Sequence, residues 1–439
     1  MNVEDHRAED GMRERTCAAL VSFGDAAALT TVSSLSLVFA ASLLARTGIP
    51  FSAAYTAGIF TCAIGTLAIS WQGRTRLALP SPAIAAWLVY QEIIARGISW
   101  QEMLGISAIT SLAAVLLIRT HCCAYLTAWL PPIIRTGLIL GLSLSMLTSA
   151  CGLARILLPS PWALTMGGTL SDPLTYYTCI GIILVLLLHV MHMRGALVLG
   201  MTAVGVLTWM AGFWEVPAAP FFQPERLDTV IGALAFPSAE QLFPAAVLIF
   251  ALLCALLLES GAVLALQEKG GADDKGSSGI LMRLFSMSFL SALLGALPLT
   301  IAPISAALPA TSKEQRLWGI PCTAGITALL LLALLPCAPL MQAIADFPVM
   351  PAVAVGALGL MLLIRALHAI QEWTAPMDTR EACVIGAFFL AAHDIKAGLC
   401  AALLLWTVLT AAGSSWRDVP RSTWVLTILV LGFFLSNYL

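Results

Sequence analysis

The chain has 439 residues, of which 59% are hydrophobic and only 10% charged, and its mean hydropathy is +0.92. Soluble proteins carry about 25% charged residues, so a water-soluble enzyme or a basic nucleic-acid binder is excluded and an integral membrane protein is implied. A net charge of −2 says nothing about partners, but the placement of the charges is informative.

The first 26 residues include Glu4, Asp5, Arg7, Glu9, Asp10, Arg13, Glu14 and Arg15 and lack the apolar core of a signal peptide. They read as a solvated cytoplasmic tail. Apolar segments follow at roughly 27–46, 52–71, 79–94, 103–118, 132–150, 175–191, 195–213, 242–266, 282–297, 300–310, 318–340, 350–366, 382–392, 397–412 and 422–438. These are helical lengths, not the short alternating strands of an outer-membrane barrel. The expected fold is all-α and polytopic, with fourteen transmembrane segments, or fifteen if both short pieces around His393-Asp394 cross.

Segments 79–94 and 300–310 begin with Leu79-Pro80-Ser81-Pro82-Ala83-Ile84-Ala85-Ala86 and Thr300-Ile301-Ala302-Pro303-Ile304-Ser305-Ala306-Ala307. Both are short for a span and open on proline and small residues. Such paired, interrupted segments point to the binding site of a secondary transporter. A helix that starts inside the membrane leaves its first N–H groups free for a ligand. The N–H groups of Ala83–Ala86 and Ser305–Ala307 are therefore expected to face one cavity.

Three landmark pairs recur at nearly one offset: Pro82 with Pro303, Trp100 with Trp318, and Pro132 with Pro351. The spacing predicts a seven-plus-seven inverted repeat, because an odd number of spans per unit inverts the second unit. Residues 27–213 form the first repeat, 214–239 an extracytoplasmic loop, 240–412 the second repeat and 413–439 a C-terminal helix. With the N-terminus cytoplasmic, every Lys and Arg except Arg46, Arg96, Arg155, Arg226 and Lys396 falls inside. This is the bias expected of a cell (inner) membrane protein.

Ionisable residues within spans are functional candidates. Glu259 lies deep in segment 242–266, where a carboxylate must face a cavity, pair with a cation or take a proton. It is the expected proton-coupling group; its alternative is a snorkelling position near Glu268 and Lys269. Glu92 with Tyr90, and His189 with His192, read as interfacial. His393 with Asp394 reads as a turn. Ser81, Thr300 and Ser305 can donate hydrogen bonds to a ligand or cap their own helices. The eleven cysteines show no metal-ligand spacing. No cofactor is expected beyond a proton gradient.

At several places in order the chain resembles the nucleobase–cation symporter-2 (xanthine/uracil permease) superfamily, on its guanine/hypoxanthine permease-like branch. The similar stretches are Thr30-Thr31, Ala57-Gly58-Ile59-Phe60, Leu77-Ala78-Leu79-Pro80, Ser99-Trp100-Gln101, Gly168 to Pro173, Arg194 to Gly200 and Gln267 to Gly271. The resemblance implies core and gate domains, a homodimer, and a small-molecule substrate between the third and tenth segments beside the eighth. It places Ser81, Ala83, Ile84, Ala85, Glu259, Thr300, Ile304, Ser305 and Ala306 at that site. The chain departs from the branch at Ala85, where the branch has Asn, and at Ile304, where it has Glu. The eighth-segment Asp of the branch aligns at Leu258 or Glu259.

The first reading is proton-coupled uptake of a nucleobase or similar heterocycle. Leu257-Leu258-Glu259-Ser260 also looks like the sulfate-permease family, which implies a small-anion carrier. The third reading is a transport-inactive membrane protein with a structural or sensing role.

Overall fold

The computed structural model describes residues 3–71, 80–82, 97–120, 132–158, 166–167, 171–193, 195–221, 227, 230–237, 242–267, 274–307, 316–317, 320–371 and 395–413, with 421, 423–424, 427–428 and 431 near the C-terminus. In chain order these form α1 (Val3–Ala45), α2 (Phe51–Ser70), β1 (Pro80–Pro82), α3 (Trp100–Arg119), α4 (Pro132–Leu153), β2 (Leu157–Leu158), β3 (Met166–Gly167), α5 (Pro173–Val190) and α6 (Ala196–Met210). Then follow α7 (Leu242–Gln267), α8 (Asp274–Leu293), β4 (Leu299–Ile301), α9 (Ile304–Ala307), β5 (Arg316–Leu317), β6 (Ile320–Pro321), α10 (Cys322–Ala333), α11 (Ala338–Asp346), α12 (Val349–Gln371) and α13 (Ile395–Gly413).

Helices dominate because the apolar runs are long and, in a bilayer, each backbone polar group must be satisfied within its own segment. Among the described residues, five helices are long and apolar enough to span: Ser22–Ala45, Phe51–Ser70, Trp100–Arg119, Pro173–Val190 and Val349–His368. The polar N-terminal stretch, expected as a solvated tail, takes up helix. It is helical from Val3 and runs unbroken into the first span. Segment 318–340 is not one continuous helix. It is α10 and α11 joined through a short 3-10 turn, with a bend of 46°. Pro336 and Pro339 remove two N–H donors at the break. At the bend the Leu334 carbonyl accepts from the Cys337 N–H at 3.0 Å and from the Tyr55 hydroxyl at 3.1 Å, which ties α2 to it.

Two helix starts carry side-chain caps. Ser99 and Glu102 form a reciprocal capping box on α3, and Asp172 accepts from the Leu174 N–H at 3.0 Å to open α5. The expected landmark Trp318 lies outside the described residues, and α10 begins at Cys322.

One apolar cluster runs through α1, α2, α3, α7, α8, β4, α10 and α12. Within it α4 lies against α12, α8 against α3 and α2, and α10 against α1 and α2. The outer faces of α5 and α6 instead expose Ile183, Leu187, Trp209 and Met210, as a lipid-facing surface does. The stretch after α6, expected as an extracytoplasmic loop, folds back onto the bundle. Gly232 donates its N–H to the Leu293 carbonyl at 2.8 Å, and Ala235 to the Gln101 carbonyl at 3.1 Å. Val230, only 2% exposed, is pressed against Gly295.

Candidate functional site

The two proline-containing motifs meet. β1 and β4 pair antiparallel with Pro80 opposite Ile301, Ser81 opposite Thr300 and Pro82 opposite Leu299. Proline cannot donate, so Ser81 with Thr300 is the one pair of this ladder able to exchange both N–H···O bonds. The flanking pairs then turn their backbone groups away from the ladder. On the β4 side those groups are collected by α8. The Ser288 hydroxyl donates to the Leu299 carbonyl at 2.8 Å and accepts from the Leu299 N–H at 2.9 Å. Three residues on, Ser291 donates to the Leu297 carbonyl at 2.7 Å and lies 3.5 Å from the Thr61 hydroxyl of α2. On the β1 side α2 comes close through Gly65, where an added Cβ would stand 3.0 Å from the Pro80 ring.

Glu259 enters from α7. It is 4% exposed, and the Thr300 hydroxyl lies 3.3 Å from its Oε1 and 3.4 Å from the Ser81 carbonyl oxygen. Directly opposed side chains share a face of a sheet, so the Ser81 hydroxyl lies on the same face as that of Thr300. Ser81 and Ser260 are wholly buried, and neither hydroxyl has a hydrogen-bond partner among the described residues. Buried hydroxyls left open in this way mark a place for water or a ligand. A carboxyl and three hydroxyls on adjoining elements can accept from ring N–H groups and donate to ring carbonyls.

Of the residues expected at the site, Ser81, Glu259 and Thr300 are thus gathered where β1, β4 and α7 adjoin. Ile304 opens α9 and is 3% exposed; Ser305 follows it at 8%. Ala306 lies in α9, and its side chain is outside the described residues, as are Ala83, Ile84 and Ala85 altogether. One expectation needs correction. The Ser305 N–H donates to the Ala302 carbonyl at 2.9 Å in the turn that opens α9, so it is spent locally rather than offered to a cavity. Thr30 and Thr31 likewise bond back to the Ala26 and Ala27 carbonyls of their own helix. Glu92, Tyr90, His393 and Asp394 lie outside the described residues, while His189 and His192 are exposed. Ser288, Ser291 and Ser260 were not singled out from the sequence. The signal for the first two was a pair of serines three apart on an apolar helix just before the second motif.

A helical membrane bundle with two short segments crossing beside a buried carboxyl is the architecture of a membrane transport protein. The Xan_ur_permease model, described as the Permease family, matches residues 23–396, and the chain belongs to that family. It is 22% identical over 411 residues to the guanine/hypoxanthine permease PbuO of Bacillus subtilis (strain 168), covering 90% of this chain and 92% of that one. It is 20% identical over 395 residues to the adenine permease AdeP of Escherichia coli (strain K12), covering 89% and 86%. Among solved structures, the fold is similar to the transmembrane domain of a cyanobacterium bicarbonate transporter, BicA, with a TM-score of 0.54 at 16% identity over 87% of this chain and 97% of that one. It is also similar to SLC26A9, with a TM-score of 0.53 at 11% identity over 89% of this chain and 66% of that one. The chain is an integral membrane permease, with transporters among its relatives.

Proposed function

We propose that the protein is a proton-coupled carrier for a nucleobase or a similar small heterocycle, bound where β1, β4 and α7 adjoin. The observation that carries this reading is the buried Glu259 carboxyl beside Thr300 and the open Ser81 hydroxyl. A planar heterocycle supplies N–H donors for the carboxyl and acceptors for the hydroxyls. A proton on Glu259 supplies the coupling, with no cofactor beyond the gradient. The purine permeases among its relatives support the substrate class.

The seven-plus-seven inverted repeat belongs to this reading. Its support is that contacts come in matched pairs. If α1, α2, β1, α3 and α4 correspond to α7, α8, β4, α10 and α12, then α3 against α8 mirrors α10 against α2, and α1 against α10 mirrors α7 against α3. The antiparallel run of β1 and β4 fits an axis lying in the membrane plane. Repeats at 27–213 and 240–412, a cytoplasmic N-terminus, a place in the cell membrane and a homodimer complete the proposal.

A small-anion carrier is the second reading, since its fold is shared with anion transporters. It is the weaker one: an ionised carboxylate at the crossing repels an anion. Thermal stabilisation of the purified protein by hypoxanthine, adenine, uracil, sulfate or bicarbonate separates the readings. Stabilisation by a base supports the proposal and by an anion overturns it. Stabilisation by none of them, with no uptake in cells lacking their own nucleobase permeases, leaves the transport-inactive reading.

A further inference from the structure

We propose that the Thr300 hydroxyl transmits the protonation state of Glu259 to the crossing of β1 and β4 by reversing the direction of its hydrogen bonds. The inference rests on the proton-coupled reading above and makes Thr300 a positioning residue.

A hydroxyl has one proton to give. That of Thr300 stands 3.3 Å from Glu259 Oε1 and 3.4 Å from the Ser81 carbonyl oxygen. Both distances exceed the roughly 2.7–2.8 Å of a closed O–H···O bond. The hydroxyl is held between two acceptors and closed on neither.

When Glu259 is ionised, its carboxylate only accepts. The Thr300 proton goes to it, since a charged acceptor forms the stronger bond. The Ser81 carbonyl then receives nothing from this side chain. When Glu259 is protonated, its own O–H donates to Thr300 Oγ1. The Thr300 proton is released and turns to the Ser81 carbonyl. The protonated state therefore adds one side-chain bond across the crossing, and the ionised state removes it. No proton leaves Thr300 in either direction; the one that comes and goes is on Glu259. Proton binding at Glu259 and closure of the crossing then favour each other by linkage.

The ladder is unusually open to such control. With Pro80 and Pro82 unable to donate, Ser81 with Thr300 is the one pair of the three described that can exchange both backbone bonds. One added bond is a large fraction of what joins the two segments. Charged and titratable groups on the described elements packed against α7 are few. They are Glu102 and Arg119 in the first and last turns of α3, Arg135 in the first turn of α4 with Cys151 near its end, and Arg365 and His368 toward the end of α12. β4 and α9 carry none, and α7 adds Cys254.

The test is amide hydrogen exchange of the full-length protein in lipid nanodiscs, read on peptides covering 295–307. Protection is corrected for intrinsic rates and compared between about pH 5 and pH 8, with no substrate added. In the unaltered protein, protection falls about fivefold as pH rises, the size of one net hydrogen bond. Thr300→Val keeps the shape, loses the hydroxyl and stays at the low level at every pH. Thr300→Ser restores the pH dependence. Glu259→Gln, whose amide can still donate to Oγ1, stays at the high level at every pH. A flat profile in the unaltered protein, or a Thr300→Val profile that follows it, overturns the proposal. Because the readout needs no substrate, it is separate from the nucleobase assignment. A protein that no base stabilises can still show the profile, and one that binds bases can fail to.

Discussion

Ser81 and Thr300, 219 residues apart in the chain, stand directly opposite one another in an antiparallel ladder, and the Thr300 hydroxyl reaches within 3.4 Å of the Ser81 carbonyl. This contact brings the two interrupted segments to one point inside the bundle. The predictions below follow from what surrounds it.

Glu259→Gln removes the titrating proton but keeps the side chain's size and a donor for Thr300. Uptake driven by an imposed pH gradient is expected to vanish, while equilibrium binding of the substrate persists within a few-fold. The measurement is accumulation in proteoliposomes beside binding to the purified variant. Normal accumulation by the variant would remove Glu259 from the coupling role.

Ser288→Ala takes away the hydroxyl that serves both backbone groups of Leu299. With no partner strand on that side, the cost is about 1–3 kcal/mol for a buried polar group left open. A lower unfolding midpoint is expected together with weaker substrate binding, since the register of Thr300 depends on its neighbour. Ser286→Ala is the control, because that hydroxyl bonds only to the Met282 carbonyl of its own helix and is exposed. A loss no greater than that of the control would mean that α8 does not hold β4 in place.

Gly105→Ala tests the folded-back loop. An added Cβ would stand 2.0 Å from the Ala235 carbonyl oxygen, and a backbone atom yields little. The loop should lift, and proteolysis between residues 214 and 239 should quicken severalfold. Gly152→Ala, with nothing within 4 Å, should leave the cleavage rate unchanged and gain about 1 kcal/mol of helix stability. Equal cleavage rates in both variants would place the loop elsewhere in the native protein.

Ala85→Asn combined with Ile304→Glu restores two polar side chains that the purine-permease resemblance leads one to expect. Each well-placed charged hydrogen bond is worth about 1.5–3 kcal/mol. Hypoxanthine affinity should rise by at least about tenfold on the conservative end of that range. Submicromolar binding by the unaltered protein would show instead that other side chains read the base.

Much of this was written in the chain. The Pro80-Ser81-Pro82 and Thr300-to-Ser305 stretches stand out because proline at the head of a short apolar run has few other uses. Glu259 stands out because its depth is costly. The pairing itself was not legible. A three-residue ladder has no alternation to read, and its partner is more than two hundred residues away. Ser288 was hidden for a related reason: a serine hydroxyl in an apolar helix looks the same whether it bonds to its own turn, as most here do, or to a neighbouring strand. The bend at Leu334 was missed because hydropathy continues through it; Pro336 and Pro339 carried the only sign.

Pro80 and Pro82 also set how the crossing can move. A ladder of many rungs resists rotation of one strand against the other, because every rung must stretch. Here three pairs are described and one of them can exchange both bonds, so resistance to rotation is small. Sliding is another matter. A shift of one residue brings a proline to the donating position and forfeits the bonds, so the register is locked while the angle is free. The pairing of Ser81 with Thr300 is therefore easier to tilt than to slide.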